Sequence, residues 1–246
     1  MAFSSDEIRG KILDSYYSEV YQNFLFSDKS GWAPYKKGIK YFEKSLEKLW
    51  VGDSVSSALE LGGGSGEHLP FIEWLPKIRY ISLDLRSPVT AHHIDRASPQ
   101  LKSKLEFVKG NAESIPYADG FFDRILMTCL LHHVQDPLEV LLEMRRVAKP
   151  GAEIGFVMPT DPGLLNLLLK KTFAYKSIRE LSSLNPKLIY ALEHRNHARS
   201  LLEQVKYVFS GDKLTIKFLP THIPSIDLNL CIAIHVIKTG NHLSSF

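Results

Sequence analysis

Cysteine is scarce: Cys129 and Cys231 are the only two in 246 residues, and they lie far apart in sequence. That scarcity argues against a disulfide framework and against a cysteine-based zinc cluster, and it fits a reducing, cytoplasmic setting. Long apolar runs are missing too. None approaches the ~20 residues that cross a bilayer, so no stable membrane insertion is expected. The opening MAFSSDEIRGK is charged too early for a secretory signal. Charge of one sign is nearly balanced by the other; the formal net charge of +3 is too small to point to nucleic acid as a partner. Internal repeats and low-complexity segments are absent. What is present, 44% hydrophobic and 23% charged residues, is ordinary for a globular protein, and the length suits one large α/β domain or two small ones.

Residues 1–52 read as a helical extension. Ile39, Phe42, Leu46 and Leu49 recur at helical spacing, Pro34 suits a first turn, an earlier helix covers Asp6 to Val20, and SDKSGWAP connects the two. Over residues 53–160 short apolar runs alternate with longer amphipathic ones. SALEL, RYISLDL, LEFVKG, FFDRILMT and AEIGFVM read as strands, and EHLPFIEWL and DPLEVLLEMRRVAKPG as helices. The second helix carries its own punctuation: Asp136 as N-cap, Pro137 at the first position, Glu139 three residues on, and Pro150-Gly151 as the stop. Residues 161–211 read as a mostly helical insertion. Residues 212–246 end the chain with two strands, KLTIKFLP and LNLCIAIHVIK, joined by THIPSID, which is short enough for an antiparallel return. Strands alternating with helices imply a parallel sheet with right-handed crossovers. The expected architecture is one doubly wound, Rossmann-like α/β domain, with a seven-stranded sheet that is mostly parallel and has an antiparallel last strand.

SALELGGGSGEHLP, residues 57–70, holds four glycines. In a doubly wound sheet the first strand-to-helix turn faces the ligand crevice. Gly62, Gly64 and Gly66 let backbone approach a ligand where a Cβ would collide; a tight turn with no ligand is the bland alternative. The dinucleotide pattern G-x-G-x-x-G fails in every register, because its last position falls on Glu67 counted from Gly62 and on Leu69 counted from Gly64. The pattern present is E-x-G-x-G-x-G at Glu60, Gly62, Gly64 and Gly66. The next strand ends in Asp84, placed to accept hydrogen bonds from both hydroxyls of a ribose. A ribose ligand without a diphosphate is indicated.

ELGGGSG, YISLDLR and the long block from FVKGNAESIPYADG to AKPGAEIGFV follow one another in the order and spacing of the class I S-adenosylmethionine-dependent methyltransferases, which this part of the chain resembles. The resemblance implies S-adenosyl-L-methionine as cofactor. It also implies that the glycine loop passes under the methionine part, that Glu60 helps fix the amino group, that Asp84 holds the ribose and that Leu85 packs on the adenine. Asn111 and Ala112 stand where the family has an acid followed by a small residue reading the adenine edge. Asn111 departs from the acid, but its amide oxygen can still accept from an exocyclic amine. Thr128, at the end of the fourth strand, borders the reacting methyl. An N-terminal extension of this kind, here with Tyr16 and Tyr17, is implied to fold over the cofactor as a lid; aromatics at helical spacing also read as core.

Methyl transfer from a sulfonium is an in-line displacement that needs the acceptor atom about 3 Å from the methyl in a dry site. A hydroxyl acceptor also needs a base. His132 and His133 in CLLHHVQD are candidates, with packing at the next helix start as the alternative. Asp161 in PTDPG sits at the rim, and Asp before Pro is equally a helix-entry signal. Read as one helix, EHRNHARSLLEQVKYVF has an apolar stripe through Ala198, Leu201, Val205 and Val208 that extends through His194 and His197. Both histidines are then expected to face inward, as an acceptor pocket wall or as hydrogen-bonded core residues. Arg195 beside them is a candidate acceptor contact. Neither cysteine nor a carboxylate cluster stands at zinc spacing, so no metal is expected. The basic run Lys170, Lys171, Lys176 and Arg179 suits an anionic acceptor, peripheral contact with an anionic membrane, or a solvated helix face.

The leading expectation is an enzyme that methylates oxygen or nitrogen of a small molecule, with a sugar- or phosphate-bearing biosynthetic intermediate as one fitting acceptor class. Carbon methylation of a quinone or lipid-like acceptor is the alternative, suggested by the apolar insertion. A catalytically silent cofactor-binding module is a third reading, and the failed dinucleotide pattern argues against a nicotinamide enzyme.

Overall fold

The computed structural model describes residues 5–21, 33–52, 54–64, 66–74, 77–85 and 97–240; most of the SDKSGWAP connection lies outside the described residues. The apolar runs become strands β1 (Ser57–Leu61), β2 (Arg79–Asp84), β3 (Leu105–Lys109), β4 (Phe122–Thr128), β5 (Ala148–Pro159), β6 (Lys213–Leu219) and β7 (Cys231–Ile237). They form one sheet in the order β3-β2-β1-β4-β5-β7-β6. Strands β1 to β5 run parallel, and β7 is antiparallel to both β5 and β6. Every residue of β1 is buried, as a strand covered on both faces requires, which explains why SALEL carries no alternation.

Helices α1 (Ser5–Ser15) and α2 (Ala33–Glu47) precede the sheet. The expected single α-helix over Asp6 to Val20 instead widens into a π-type turn at Tyr16–Tyr21. Leu46 at the end of α2 and Leu49 beyond it pack on Val157, Leu219, Cys231 and Ala233. A short α3 (Pro99–Lys102) leads into β3, and α4 (Pro137–Val147) joins β4 to β5. Asp136 caps α4 by accepting from the Glu139 amide at 3.1 Å. Its stop lies earlier than Pro150-Gly151: β5 begins at Ala148, and the Pro-Gly pair forms an irregularity where the register with β4 shifts. Gly151 supplies the positive φ there, +81°.

Two expected helices differ more. EHLPFIEWL forms a single tight turn, Leu69–Phe71, because His68 and Trp74 direct their side chains to α2 instead of to a local helix face. The stretch from Glu193 to Phe209 is broken in two. Helix α7 (Pro186–Glu193) stops, and α8 (Ala198–Val208) starts, with His197 in extended backbone as its N-cap. Between β5 and α7 the chain runs through α5 (Leu164–Leu169), a π-type segment Lys170–Ala174 and α6 (Tyr175–Leu181). The stripe Ala198, Leu201, Val205 and Val208 is buried, beside α4.

Candidate active site

The sheet order reverses between β1 and β4, so the loops leaving these two strands flank the crevice where doubly wound folds bind ligands. The loop after β1 is held open by its glycines. Gly62, Gly64 and Gly66 have φ of +68°, +50° and +80°, values that favour glycine. Gly63 has the least room: a Cβ there would stand 2.0 Å from Ser82 Oγ and 2.8 Å from Glu60 Oε2. A Cβ on Gly62 would meet the Leu130 side chain at 3.0 Å, so the loop after β4 lies directly against the glycine loop. His132 is two residues further on.

Glu60 is buried at the end of β1, and its Oε2 completes no hydrogen bond. Burial pushes its carboxyl up to about 7, against the pull of His68. A buried carboxylate with the Tyr80 and Ser82 hydroxyls nearby and one oxygen that completes no hydrogen bond, beside a cradle that a Cβ would fill, fits a ligand bearing an ammonium group, as the sequence resemblance implies. His68 itself, absent from the sequence reading, is buried between two carboxylates of α2: Glu43 contacts Nδ1, and Glu47 Oε1 lies 2.8 Å from Nε2. Burial alone would lower the imidazole, but these glutamates raise it to about 10. Glu47 also accepts from Trp50 at 3.0 Å and Trp74 at 2.9 Å. One signal for this brace was present: Glu43 falls within the Ile39–Phe42–Leu46 stripe, where a carboxylate needs a partner.

Asp84 ends β2, and its Oδ2 accepts from the Gly64 amide at 3.1 Å, which ties the expected ribose-holding carboxylate to the glycine loop. Leu85 is 64% exposed at the crevice rim. Asn111 is exposed and uses Oδ1 to accept from the Glu113 amide at 3.0 Å, so that oxygen already carries one bond. Ala112 is buried and Thr128 is half-buried at the end of β4.

Across the glycine loop from Glu60 the loop after β4 brings together a cluster of histidines. His132 and His133 arrive on the loop after β4 and His194 at the end of α7, with ring centroids 3.8 Å (132–133), 4.6 Å (132–194) and 5.3 Å (133–194) apart. His194 Nδ1 lies 2.7 Å from Asp161 Oδ2, and Asp161 also contacts the Lys170 ammonium. Lys170 sits 4.4 Å above the Tyr190 ring. His133 Nδ1 lies 2.9 Å from the Glu193 carbonyl and 3.2 Å from its carboxylate. The electrostatics keep the buried pair neutral. Burial, with His133, His194 and Lys170 nearby, holds His132 well below its ordinary value. Burial likewise brings His194 down to about 4, although Asp161 pulls the other way. The desolvation of Asp161 is outweighed by His194 and Lys170, which bring it to about 2.

His197 is not part of this cluster. It is exposed, because the chain breaks at 194–197 and its N-cap position lies off the buried stripe of α8. Arg195 is exposed as well. Asn196 instead turns in, donating to the Val134 carbonyl at 2.8 Å. Of the tyrosines, Tyr17 donates to Glu193 Oε2 at 2.6 Å. Burial, with Glu193 nearby, raises the Tyr16 hydroxyl above its ordinary value. Arg9 Nη2 reaches the Leu192 carbonyl at 3.1 Å, so the N-terminal helix lies along α7. Tyr190 and Glu193 were not singled out by the sequence; Lys170 was, as part of a basic run, but without its pairing to Asp161.

Residues 59–156 match a family profile described as a methyltransferase domain. Among curated proteins the chain is similar to the demethylmenaquinone methyltransferase of Shouchella clausii, 29% identical over 140 residues, covering 56% of this chain and 57% of the relative. It is also similar to the ubiquinone/menaquinone biosynthesis C-methyltransferase UbiE of Legionella pneumophila, 34% identical over 133 residues and covering 51% of each. The chain thus spans about half the length of these curated relatives. Among solved structures, the fold is similar to the 1,6-didemethyltoxoflavin-N1-methyltransferase of Burkholderia thailandensis, crystallised with 1,6-didemethyltoxoflavin and S-adenosylhomocysteine. The TM-score is 0.57 at 14% identity, covering 98% of this chain and 92% of that one.

Proposed function

We propose that this chain, whose residues 59–156 match a methyltransferase-domain profile, is a class I S-adenosylmethionine-dependent enzyme that transfers a methyl group to an oxygen or nitrogen of a small molecule. S-adenosylmethionine supplies the methyl from its sulfonium and leaves as S-adenosylhomocysteine. Glu60 and the glycine loop hold its methionine part, Asp84 its ribose, and Leu85, Asn111 and Ala112 its adenine. The observation that carries the acceptor reading is the His132–His133–His194 cluster beside the glycine loop, in which His132 and His194 are held neutral. With Nδ1 of His194 turned to Asp161, Nε2 is the nitrogen that receives the acceptor's proton as the new bond to carbon forms. His132 shields this exchange from water, and Tyr16 and Tyr17 close over it.

The test is a screen of acceptor pools for a gain of one methylene unit, followed by His194→Asn and His132→Asn at saturating cofactor. Loss of the proton acceptor lowers kcat by roughly 100- to 10,000-fold while S-adenosylhomocysteine binding persists. Full turnover by both variants rules out base catalysis by these side chains. Carbon methylation of a quinone-type ring is the second reading, favoured by the names of both curated relatives. A product with its new methyl on ring carbon selects it.

A further inference from the structure

Helix α5 turns three of its five leucines outward. In α5, Leu164, Leu167 and Leu168 are 67%, 36% and 58% exposed, whereas Asn166 points inward, its Nδ2 donating to Thr160 Oγ1 at 2.7 Å and the Leu230 carbonyl at 2.9 Å. The next inward side chain is Lys170, committed to Asp161. An amphipathic helix of a globular domain buries its leucines; in α5 no residue is fully buried, Leu165 and Leu169 are half-buried, and the amide of Asn166 shares the inward side with them. The outward residues Leu164, Leu167, Leu168 and Lys171 recur at i, i+3, i+4 and i+7, a single stripe. The stripe extends sideways. Asp227 receives the Leu164 amide at 3.2 Å on its side chain and the Leu165 amide at 3.1 Å on its carbonyl, which sets Leu228, itself 50% exposed, beside Leu164. Exposed cations stand at the patch and on the helices that follow it: Lys171 continues the stripe, Arg199 reaches Asp227 beside Leu228, and Lys176, Arg179 and Lys187 are exposed further along. Against them stand Glu180, 3.8 Å from Lys176, and Asp227, 3.5 Å from Arg199.

We propose that this face docks on a lipid bilayer carrying anionic headgroups, with the leucines entering the interface and the lysines meeting the phosphates. A contiguous outward leucine patch marks an interaction surface, and the cations at and beyond it select the partner. A two-fold pair of this chain would set the same cations against one another, whereas an anionic membrane neutralises them. No helix among the described residues is long and apolar enough to cross a membrane, so the contact is peripheral.

Sedimentation of the full chain with mixed phosphatidylcholine–phosphatidylglycerol vesicles, and with phosphatidylcholine vesicles alone, tests this. The chain should bind the mixed vesicles preferentially, and added salt should release it. The double change Lys171→Glu with Lys176→Glu should weaken binding by at least about fivefold per residue, and Leu164→Ser with Leu168→Ser by at least about tenfold. Both variants alter exposed side chains, so the thermal midpoint and S-adenosylhomocysteine affinity should stay as in wild type. No binding to mixed vesicles, equal binding to both vesicle types, or wild-type binding by both variants overturns the proposal. So does a lipid-independent dimer that the leucine variant abolishes.

Discussion

The hydroxyl of Tyr17 donates a 2.6 Å hydrogen bond to Glu193, a residue 176 positions away, and so latches the N-terminal segment to the end of α7. Although burial raises Glu193, His133 and Tyr17 together hold it lowered, so the bond is made to a charged, mostly buried acceptor. Tyr17→Phe should loosen the latch by about 1–3 kcal/mol. Hydrogen exchange of residues 5–21 should then speed up with little change in global unfolding. Unchanged exchange there would mean that the bond does not hold the helix.

Asp84 ties the end of β2 to the glycine loop through the Gly64 amide, and the proposed ribose contact is testable at the same carboxylate. Asp84→Ala removes its acceptors and should weaken S-adenosylhomocysteine binding by about 1–3 kcal/mol in calorimetric titration. Asp84→Asn keeps an oxygen for the Gly64 amide and should fall between wild type and alanine. Equal affinity in all three proteins would remove Asp84 from the ribose site.

Gly63 is the tightest point of the loop even though its neighbours carry the unusual φ angles. Gly63→Ala brings a methyl onto Ser82 and Glu60, and should destabilise the fold by about 1–3 kcal/mol in urea. Adding Ser82→Ala should recover part of this, since the 2.0 Å conflict disappears while the 2.8 Å one with Glu60 remains. A double variant no more stable than the single one contradicts that assignment.

The brace under the loop depends on pH. An unfolded imidazole titrates near about 6.5, and in the fold Glu43 and Glu47 carry His68 to about 10. A raised folded value means that the folded state holds the proton longer. Its stabilisation is complete below about 6.5 and disappears as pH climbs toward 10. Against His68→Gln, the stability advantage of wild type should therefore shrink steadily across that window when urea unfolding is followed at each pH. A constant difference would show that His68 is not charged in the fold.

The strands were legible because a sheet covered on both faces writes unbroken apolar runs into the chain, and α4 because Asp136 and Pro137 announce its start locally. The placement of the glycine turn behind β1 and of Asp84 at the end of β2 was legible from the glycines and the acid that closes an apolar run. What escaped notice depends on partners distant in sequence. The turn after β1 fails to become a helix because His68 and Trp74 turn their side chains to carboxylates of α2. Periodicity through His194 and His197 assumed one continuous helix, and the break between them sends His197 to solvent while Asn196 turns inward. The outward leucines of α5 have the same composition as a core helix; only the register of Asn166 and Lys170 distinguishes them.

Because its footing comes from Glu43 and Glu47 upstream, the glycine segment is not a self-contained module. Grafting residues 57–160 onto another scaffold would carry over the recognisable signature without what keeps it in shape. A fragment cut just ahead of β1 would preserve the strand order and forfeit a firm seat for the nucleoside.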